Sequence, residues 1–148
     1  MVTWAVFKAA NPDLAAAGER LFRRGDQDEA LLATVRADEP PRIHPISIGI
    51  VGSGLYAFIL RSPKRVDLEE DGRFALHAHQ DPAAPSEFSV RGRVRLVEAE
   101  DVRREVASGW SFDVDESYHL FEFGIEAALL GSRNGPDAWP PIYSSWAA

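Results

Sequence analysis

A strand–turn–strand unit in the middle of the chain restricts the folds that this sequence can adopt. Two β-forming runs, Arg42 to Val51 and Leu55 to Leu60, flank the tripeptide Gly52-Ser53-Gly54. Because glycine adopts positive φ angles at no steric cost, this tripeptide predicts a tight hairpin between antiparallel strands. The chain is therefore expected to be organised around a β-hairpin.

A short helix is predicted directly after the hairpin. It runs from Lys64 to Asp71, and Gly72 ends it. Ser62, Lys64 and Arg65 place a hydroxyl and two cations at its start. The free N–H groups and the dipole of a helix N-terminus favour negative charge. We therefore predict an anion site here, with a phosphate as its ligand.

The two faces of the strand from Arg42 to Val51 differ in chemistry. Isoleucines at alternate positions from 46 to 50 predict a face that is turned toward the core. Pro45, Ser47 and Gly49 lie on the opposite face and leave a low surface, over which a flat ring could lie. His44 could polarise the edge of such a ring or transfer a proton, although a lone strand histidine is more often structural.

The remaining segments complete a barrel. A helix over residues 12–24, with Asn11 as its cap, precedes the hairpin. Further strands are predicted over residues 30–35, 74–79, 87–97 and 118–129, and a second inserted helix over residues 98–107. Six short strands with these helices predict a mostly β (α+β) fold, a six-stranded antiparallel β-barrel in a single domain of residues 1–148. The aromatic tail from Ala138 to Trp146 is expected to pack extended over the barrel or a partner chain.

Composition limits the partners of this barrel. The net charge of −7 argues against a general nucleic-acid binder. The absence of cysteine excludes disulfides and thiol chemistry. No apolar run is long enough to span a bilayer, so we expect a soluble, cytoplasmic protein without membrane contact. A small anion can still bind a local basic cluster.

Other polar groups have simpler interpretations. Arg23 and Arg24 are typical of a solvated pair at a helix C-terminus, although they could also contact a ligand. His77 and His79 share a strand face but have no third metal ligand at suitable spacing, so no metal site is predicted.

The segments LLATVRADEPPRIHPIS, LYAFILRSPKRVDLEEDGRFALHAH and EFSVRGRVRLVEAEDVR, in this order and spacing, resemble the pyridoxamine 5′-phosphate oxidase-like family of flavin-binding split-barrel proteins. The resemblance covers about residues 28–105. It implies a six-stranded split barrel that forms a homodimer, with flavin mononucleotide (FMN) in each of two clefts between the subunits.

The resemblance also implies roles for individual residues. Arg42 and Lys64 match positions that hold the flavin phosphate, with the Ser62 hydroxyl beside it. Ser47 matches a contact to the flavin or its ribityl chain. Phe58 and Ile59 match positions along the ring. Glu87 lies near a position that can reach the flavin of the partner subunit.

The activity implied by the family stays open. Pyridoxamine 5′-phosphate oxidase itself ends in an arginine and histidine motif, whereas this chain ends in PIYSSWAA, so we do not expect it to oxidise pyridoxamine phosphate. An FMN-dependent oxidoreductase acting on an unknown small substrate is the leading interpretation. A deazaflavin-dependent reductase, with extra cations from Arg61, Arg65 or Arg73, and a non-enzymatic flavin-binding or storage module are the alternatives.

Overall fold

The computed structural model describes all residues from Met1 to Ala148. Twelve helices and strands follow one another in the chain. They are α1 (Trp4–Ala10), α2 (Pro12–Phe22), β1 (Arg23–Arg24), β2 (Gln27–Thr34), β3 (Arg42–Val51), β4 (Gly54–Ile59), α3 (Pro63–Glu70), β5 (Arg73–His77), β6 (Glu87–Leu96), α4 (Glu100–Ser108), β7 (His119–Ser132) and β8 (Ile142–Ala147).

Six antiparallel strands close into a barrel in the order β2-β3-β4-β7-β6-β5, and β5 pairs back onto β2. This confirms the predicted mostly β, six-stranded antiparallel barrel. Two further strands lie outside the closed ring: β1 extends β2, and β8 pairs with β7. The hairpin is confirmed as well, because β3 and β4 pair across a turn in which Gly52 has a φ of 56°.

The predicted core face of β3 is also confirmed. Ile46 and Ile48 are buried in the barrel, whereas Ile43 and Pro45 on the opposite face are exposed. The two ends of the barrel are covered by different helices. Phe22 of α2 packs edge-on against Phe88 at the start of β6, and Leu68 of α3 joins the core beside the end of β2.

A second, smaller apolar layer lies outside the barrel. There Val106 of α4 packs with Tyr56, Phe58 and Leu120. The helix α4 therefore covers the outer surface of β4 and β7, rather than an end of the barrel.

The structure differs from the sequence-based prediction at several element ends. The helix predicted over residues 12–24 ends at Phe22, because Arg23 and Arg24 turn into a hairpin with the start of β2. Helix α1 was not predicted; Thr3 caps it by accepting a hydrogen bond from the Val6 N–H. The aromatic tail was expected to pack over the barrel or a partner chain; its second half forms a regular strand, β8, that pairs with β7, and Trp146 contacts Phe7, whereas Trp139 and Tyr143 are exposed. None of the helices has both the length and the apolar character needed to cross a membrane.

Candidate functional site

A buried carboxylate organises the charged groups at one end of the barrel. Asp67 of α3 is 1% exposed and accepts a 2.8 Å hydrogen bond from Thr34 Oγ1 at the end of β2. Its Oδ2 also accepts a 3.1 Å hydrogen bond from Arg42 Nε at the start of β3. The side chain of Arg42 therefore has a defined position at the mouth of the barrel, since a charge-assisted bond to a buried partner restricts it.

A second guanidinium joins this cluster from the loop between β2 and β3. Arg36 Nε lies 3.5 Å from Asp67 Oδ1, so the two carboxylate oxygens face one arginine each. Glu39 is 3.5 Å from Arg42 and 4.0 Å from Arg36, and it is half-exposed. Sequence reasoning missed Arg36, because its loop carries no periodic signal and the contact spans thirty-one residues of chain to Asp67.

Lys64 and His44 complete the group, which we call the basic cluster: Arg36, Arg42, His44 and Lys64. Burial lowers the pKa of His44, and the positive charges of Lys64 and Arg42 lower it further, while Asp67 acts in the opposite direction. These residues are therefore close enough to affect one another. The Nε2 atom of His44 is buried without a hydrogen-bond partner. Of the two lysines in the chain, Lys8 forms a salt bridge with Glu19, and Lys64 forms none.

Ser62 is the N-cap of α3. Its hydroxyl accepts a 3.4 Å hydrogen bond from the Arg65 N–H and donates a 3.0 Å bond to the Leu60 carbonyl. Pro63 occupies the first turn, where its missing N–H is not needed. The predicted helix start is therefore correct, and it places Lys64 in the first turn. The hydroxyl of Ser62 is already bonded within the chain, so its predicted contact to a phosphate stays a prediction.

Arg65 is bonded within the chain and is not part of the basic cluster. It is 8% exposed, and its Nη1 donates a 3.0 Å hydrogen bond to the Ser117 carbonyl. Its Nε lies 3.2 Å from Glu69 Oε1, within ion-pair distance. The bond to Ser117 fastens α3 to the segment before β7, and the pair with Glu69 lies within the helix. The role of Arg65 in cofactor binding stays a prediction, and its structural role is evident.

A tryptophan lies over the flat face of β3. A Cβ atom added at Gly49 would come within 2.6 Å of the Trp110 ring, so the indole rests directly on this glycine. The same ring contacts Phe58 edge-on, with 5.1 Å between the ring centroids. The surface that the sequence predicts under a flat ring is thus partly covered by an aromatic ring of the protein itself. Ser47, two residues away on the same face, stays half-exposed.

The other predicted ring contacts lie in apolar surroundings. Phe58 is 5% exposed in the outer layer beneath α4, and Ile59 is 2% exposed inside the barrel. Each could contact a ligand only at its edge, so both assignments remain predictions. Glu87 begins β6, at the end of the barrel opposite Arg42, beside Gly131 and Tyr143. Glu87 and the basic cluster therefore lie at opposite ends of the barrel within one chain.

The chain was compared with known proteins. No protein-family model matches the sequence, and no curated protein matches it as a relative. Solved structures do match. A heme-binding protein from Mycobacterium smegmatis has a TM-score of 0.64 at 14% identity, over 89% of this chain and 57% of that chain.

Two further structures match over most of their own length. A NimC/NimA family protein from Clostridium acetobutylicum has a TM-score of 0.64 at 13% identity, over 91% of this chain and 93% of that chain. A candidate pyridoxamine 5′-phosphate oxidase from Listeria innocua has a TM-score of 0.61 at 13% identity, over 76% of this chain and 94% of that chain. Together with the closed antiparallel barrel, these matches show that the chain has the split-barrel fold of pyridoxamine 5′-phosphate oxidase-like proteins.

Proposed function

We propose that this protein binds FMN as a homodimer and acts as a flavin-dependent oxidoreductase on a small substrate. Arg42 and Lys64 hold the phosphate, and Ser47 faces the ribityl chain or the ring. The observation that carries the proposal is the convergence of Arg42, Lys64 and His44 at one end of the barrel. Arg42 and Lys64 bring two positive charges beside the imidazole of His44, and such a group suits a dianion better than a neutral ligand.

The residues of the basic cluster fit a phosphate in detail. The unpartnered Nε2 of His44 is a buried polar atom that gains a partner when an oxyanion is bound nearby. Arg42 uses its Nε for Asp67, which leaves terminal nitrogens for an anion. Glu39 competes for one of them, but a half-exposed pair at 3.5 Å contributes little and can be displaced.

A bound flavin would supply hydride transfer, and the chain supplies binding, orientation and electrostatics. Asp67 keeps Arg36 and Arg42 in position for the phosphate. Trp110 limits access to the outer face of β3 through its contact with Gly49. The exposed outer side of β3 beside Arg42, including Ile43, is where we place the second subunit.

Replacement of Lys64 tests the phosphate contact directly. Lys64→Ala should weaken FMN binding roughly ten- to a hundredfold, because one charge-assisted hydrogen bond contributes on the order of 1.5–3 kcal/mol. Riboflavin has the same ring without the phosphate, so its affinity should change much less. Titration of both ligands, followed by flavin fluorescence, measures the two effects.

The matched control is Lys8→Ala, which removes the same charge from α1. It should leave both affinities unchanged. Glu39→Gln removes the competitor of the phosphate and should tighten FMN binding but not riboflavin binding. Equal losses for both ligands in Lys64→Ala, or no loss for either, would show that Lys64 does not hold the phosphate.

The visible spectrum of the purified protein separates FMN from the other candidate cofactors. A flavin spectrum is expected. A deazaflavin spectrum would support the reductase alternative. A heme spectrum would show that the bound group is heme, the ligand named for the Mycobacterium smegmatis structure, and not a flavin. A flavin that is bound but never reduced by any donor would instead support a binding or storage module.

A further inference from the structure

A second basic region lies at the opposite end of β2 from the basic cluster. It is a cavity of about 800 Å³ between the β1–β2 hairpin and the loop after β5, and it is lined by Arg20, Arg23, Arg24 and His79 among others. Glu29 also lines it, five residues before Thr34, which corresponds to about 17 Å along the strand. The cavity is therefore separate from the candidate phosphate site.

The local backbone directs three arginines into this region. Helix α2 ends at the buried Phe22, and Gly25 takes a φ of 66° in the turn that follows. A positive φ there lets β1 fold back onto β2 at once. Arg23 and Arg24 are consequently held on a two-residue strand beside the last turn of α2, which carries Arg20.

The ion pairs in the cavity position the guanidinium groups without using all their donors. Arg23 Nε lies 3.1 Å from Asp28, and Arg24 Nε lies 3.4 Å from Glu29. A guanidinium has five N–H groups, so contacts through Nε leave the four terminal ones free. Arg20 is exposed and forms no salt bridge.

The two carboxylates that line the cavity, Glu29 and Asp81, are occupied within the chain. Glu29 accepts a 2.8 Å hydrogen bond from Gln27 in addition to its pair with Arg24. Asp81 accepts a 2.9 Å hydrogen bond from the Ala83 N–H. His79 adds an Nε2 atom that is buried without a hydrogen-bond partner. Asp28, the ion-pair partner of Arg23, has one buried oxygen without a hydrogen bond, so one spare acceptor stands against the terminal N–H groups of three arginines.

The lining also indicates what kind of molecule fits. Only 2 of the 11 lining residues are hydrophobic, whereas sites for flat organic rings are mostly apolar. The volume lies within the range of small-molecule sites. Planar guanidinium groups match carboxylate and phosphate oxygens in pairs. The geometry points to a binding site for a small, polar oxyanion, one that carries carboxylate or phosphate groups, at the Arg20–Arg24 end of the barrel.

The test uses the full chain and two probes, inorganic phosphate and citrate. Each is titrated calorimetrically into the wild type and into the double variant Arg20→Ala with Arg24→Ala, with FMN present at saturation to fill the basic cluster and with ionic strength held constant by sodium chloride. Probe heat that Lys64→Ala removes and the double variant keeps belongs to the basic cluster and is subtracted. The wild type should bind at least one probe, and the double variant should bind it at least tenfold more weakly. Phosphate binding alone would identify a phosphate ester as the ligand class, and citrate binding alone a polycarboxylate.

FMN titration and Lys64→Ala separate this site from the basic cluster. The double variant should bind FMN as the wild type does, and Lys64→Ala should retain the probe binding that the double variant loses. If the double variant does not fold, Arg20→Glu alone decides, because Arg20 has no partner to leave unpaired. Equal probe affinity in the wild type and the double variant would overturn the proposal. So would the absence of heat from both probes with the wild type.

Discussion

At the scale of single residues, His44 connects the candidate site to pH. Its pKa lies below the ordinary value of 6.5, because burial and the charges of Lys64 and Arg42 disfavour the imidazolium. As the pH falls, His44 therefore becomes protonated at a higher pH in the unfolded chain than in the folded chain. His44 contributes no pH dependence well above 6.5, and it destabilises the fold increasingly as the pH falls below that value.

We predict that the free energy of unfolding of the wild type falls more steeply than that of His44→Gln between pH 6.5 and pH 5. Denaturant unfolding of both proteins at a series of pH values measures the difference. The titration of all other groups is common to the two proteins and cancels when their free energies of unfolding are compared. Added phosphate should reduce the difference, since an anion in the basic cluster offsets the repulsion. Parallel curves for the two proteins would contradict this role.

The same residues show what can be predicted from sequence at this scale. Arg42 and Lys64 lie at the same end of the barrel, as predicted, and their joint contact to a phosphate stays a prediction. The β3–β4 ladder covers only residues 49–51 and 54–56, so the position of α3 beside β2, rather than the hairpin alone, brings the two residues together. The partners of Asp67 could not be predicted from the sequence. Asp67 lies close to Lys64 in the chain, yet its ion pairs are with Arg36 and Arg42, which are 25 or more residues earlier in the sequence. Trp110 was missed for a similar reason, since its loop gives no sign of the glycine it covers.

At the scale of elements, Arg65 is one of the residues that attach α3 to the barrel, beside Asp67 and Leu68. Arg65 joins the helix to the Ser117 carbonyl, and its neighbour Lys64 has no such contact. Arg65 Nη1 also lies 3.5 Å from the buried carbonyl of Ile59. We predict that Arg65→Met, which keeps much of the aliphatic stem, lowers the free energy of unfolding by about 2 kcal/mol, through a lost charged hydrogen bond to Ser117 and the loss of the donor near the Ile59 carbonyl.

The matched control is Lys64→Met on the same helix, which should change stability by less than about 0.5 kcal/mol. Urea denaturation of the three proteins measures both values. Equal stability of the two variants would show that Arg65 does not anchor α3.

Strands and helices with a local signal were predicted well, and those that depend on distant partners were not. The α3 start has its own cap and proline, and β3 has its isoleucines, so both could be located from local sequence. Strand β8 is regular because it pairs with the exposed edge of β7, and nothing within residues 142–147 specifies that partner. Helix α1 has only a threonine cap, and its buried Trp4 and Phe7 gain their contacts from the barrel.

At the scale of the whole molecule, several large apolar side chains are exposed to solvent in the single chain. Ile43 is 68% exposed on the outer face of β3, and Ala33 pairs beside it on β2. Trp139 and Ile142 are 76% and 77% exposed, whereas Trp146 is covered by contact with Phe7. Exposed apolar surface of this kind is typical of an interface.

We predict a homodimer at micromolar concentration, measured by sedimentation velocity. Ile43→Glu should shift the protein to the monomer, because it places a charge in the interface. Val6→Glu, which changes a similarly exposed aliphatic residue on α1, should leave the dimer intact. A wild-type chain that sediments as a stable monomer would contradict the prediction.

The closure of the barrel has a consequence for the order of folding. The closing ladder joins β2 to β5, with the whole β3–β4 hairpin and α3 between them in the chain, and in it Thr34 pairs with Phe74. Long-range pairing of this kind requires a large loop to be closed and is slow. Thr34 is also the residue that bonds Asp67. An intermediate in which β2 has not yet paired with β5 would leave Asp67 more open to water, and its contacts to Arg36 and Arg42 would be weaker. The anion site would therefore be complete only once this ladder has formed, and a ligand bound there would stabilise the closed barrel over the open one.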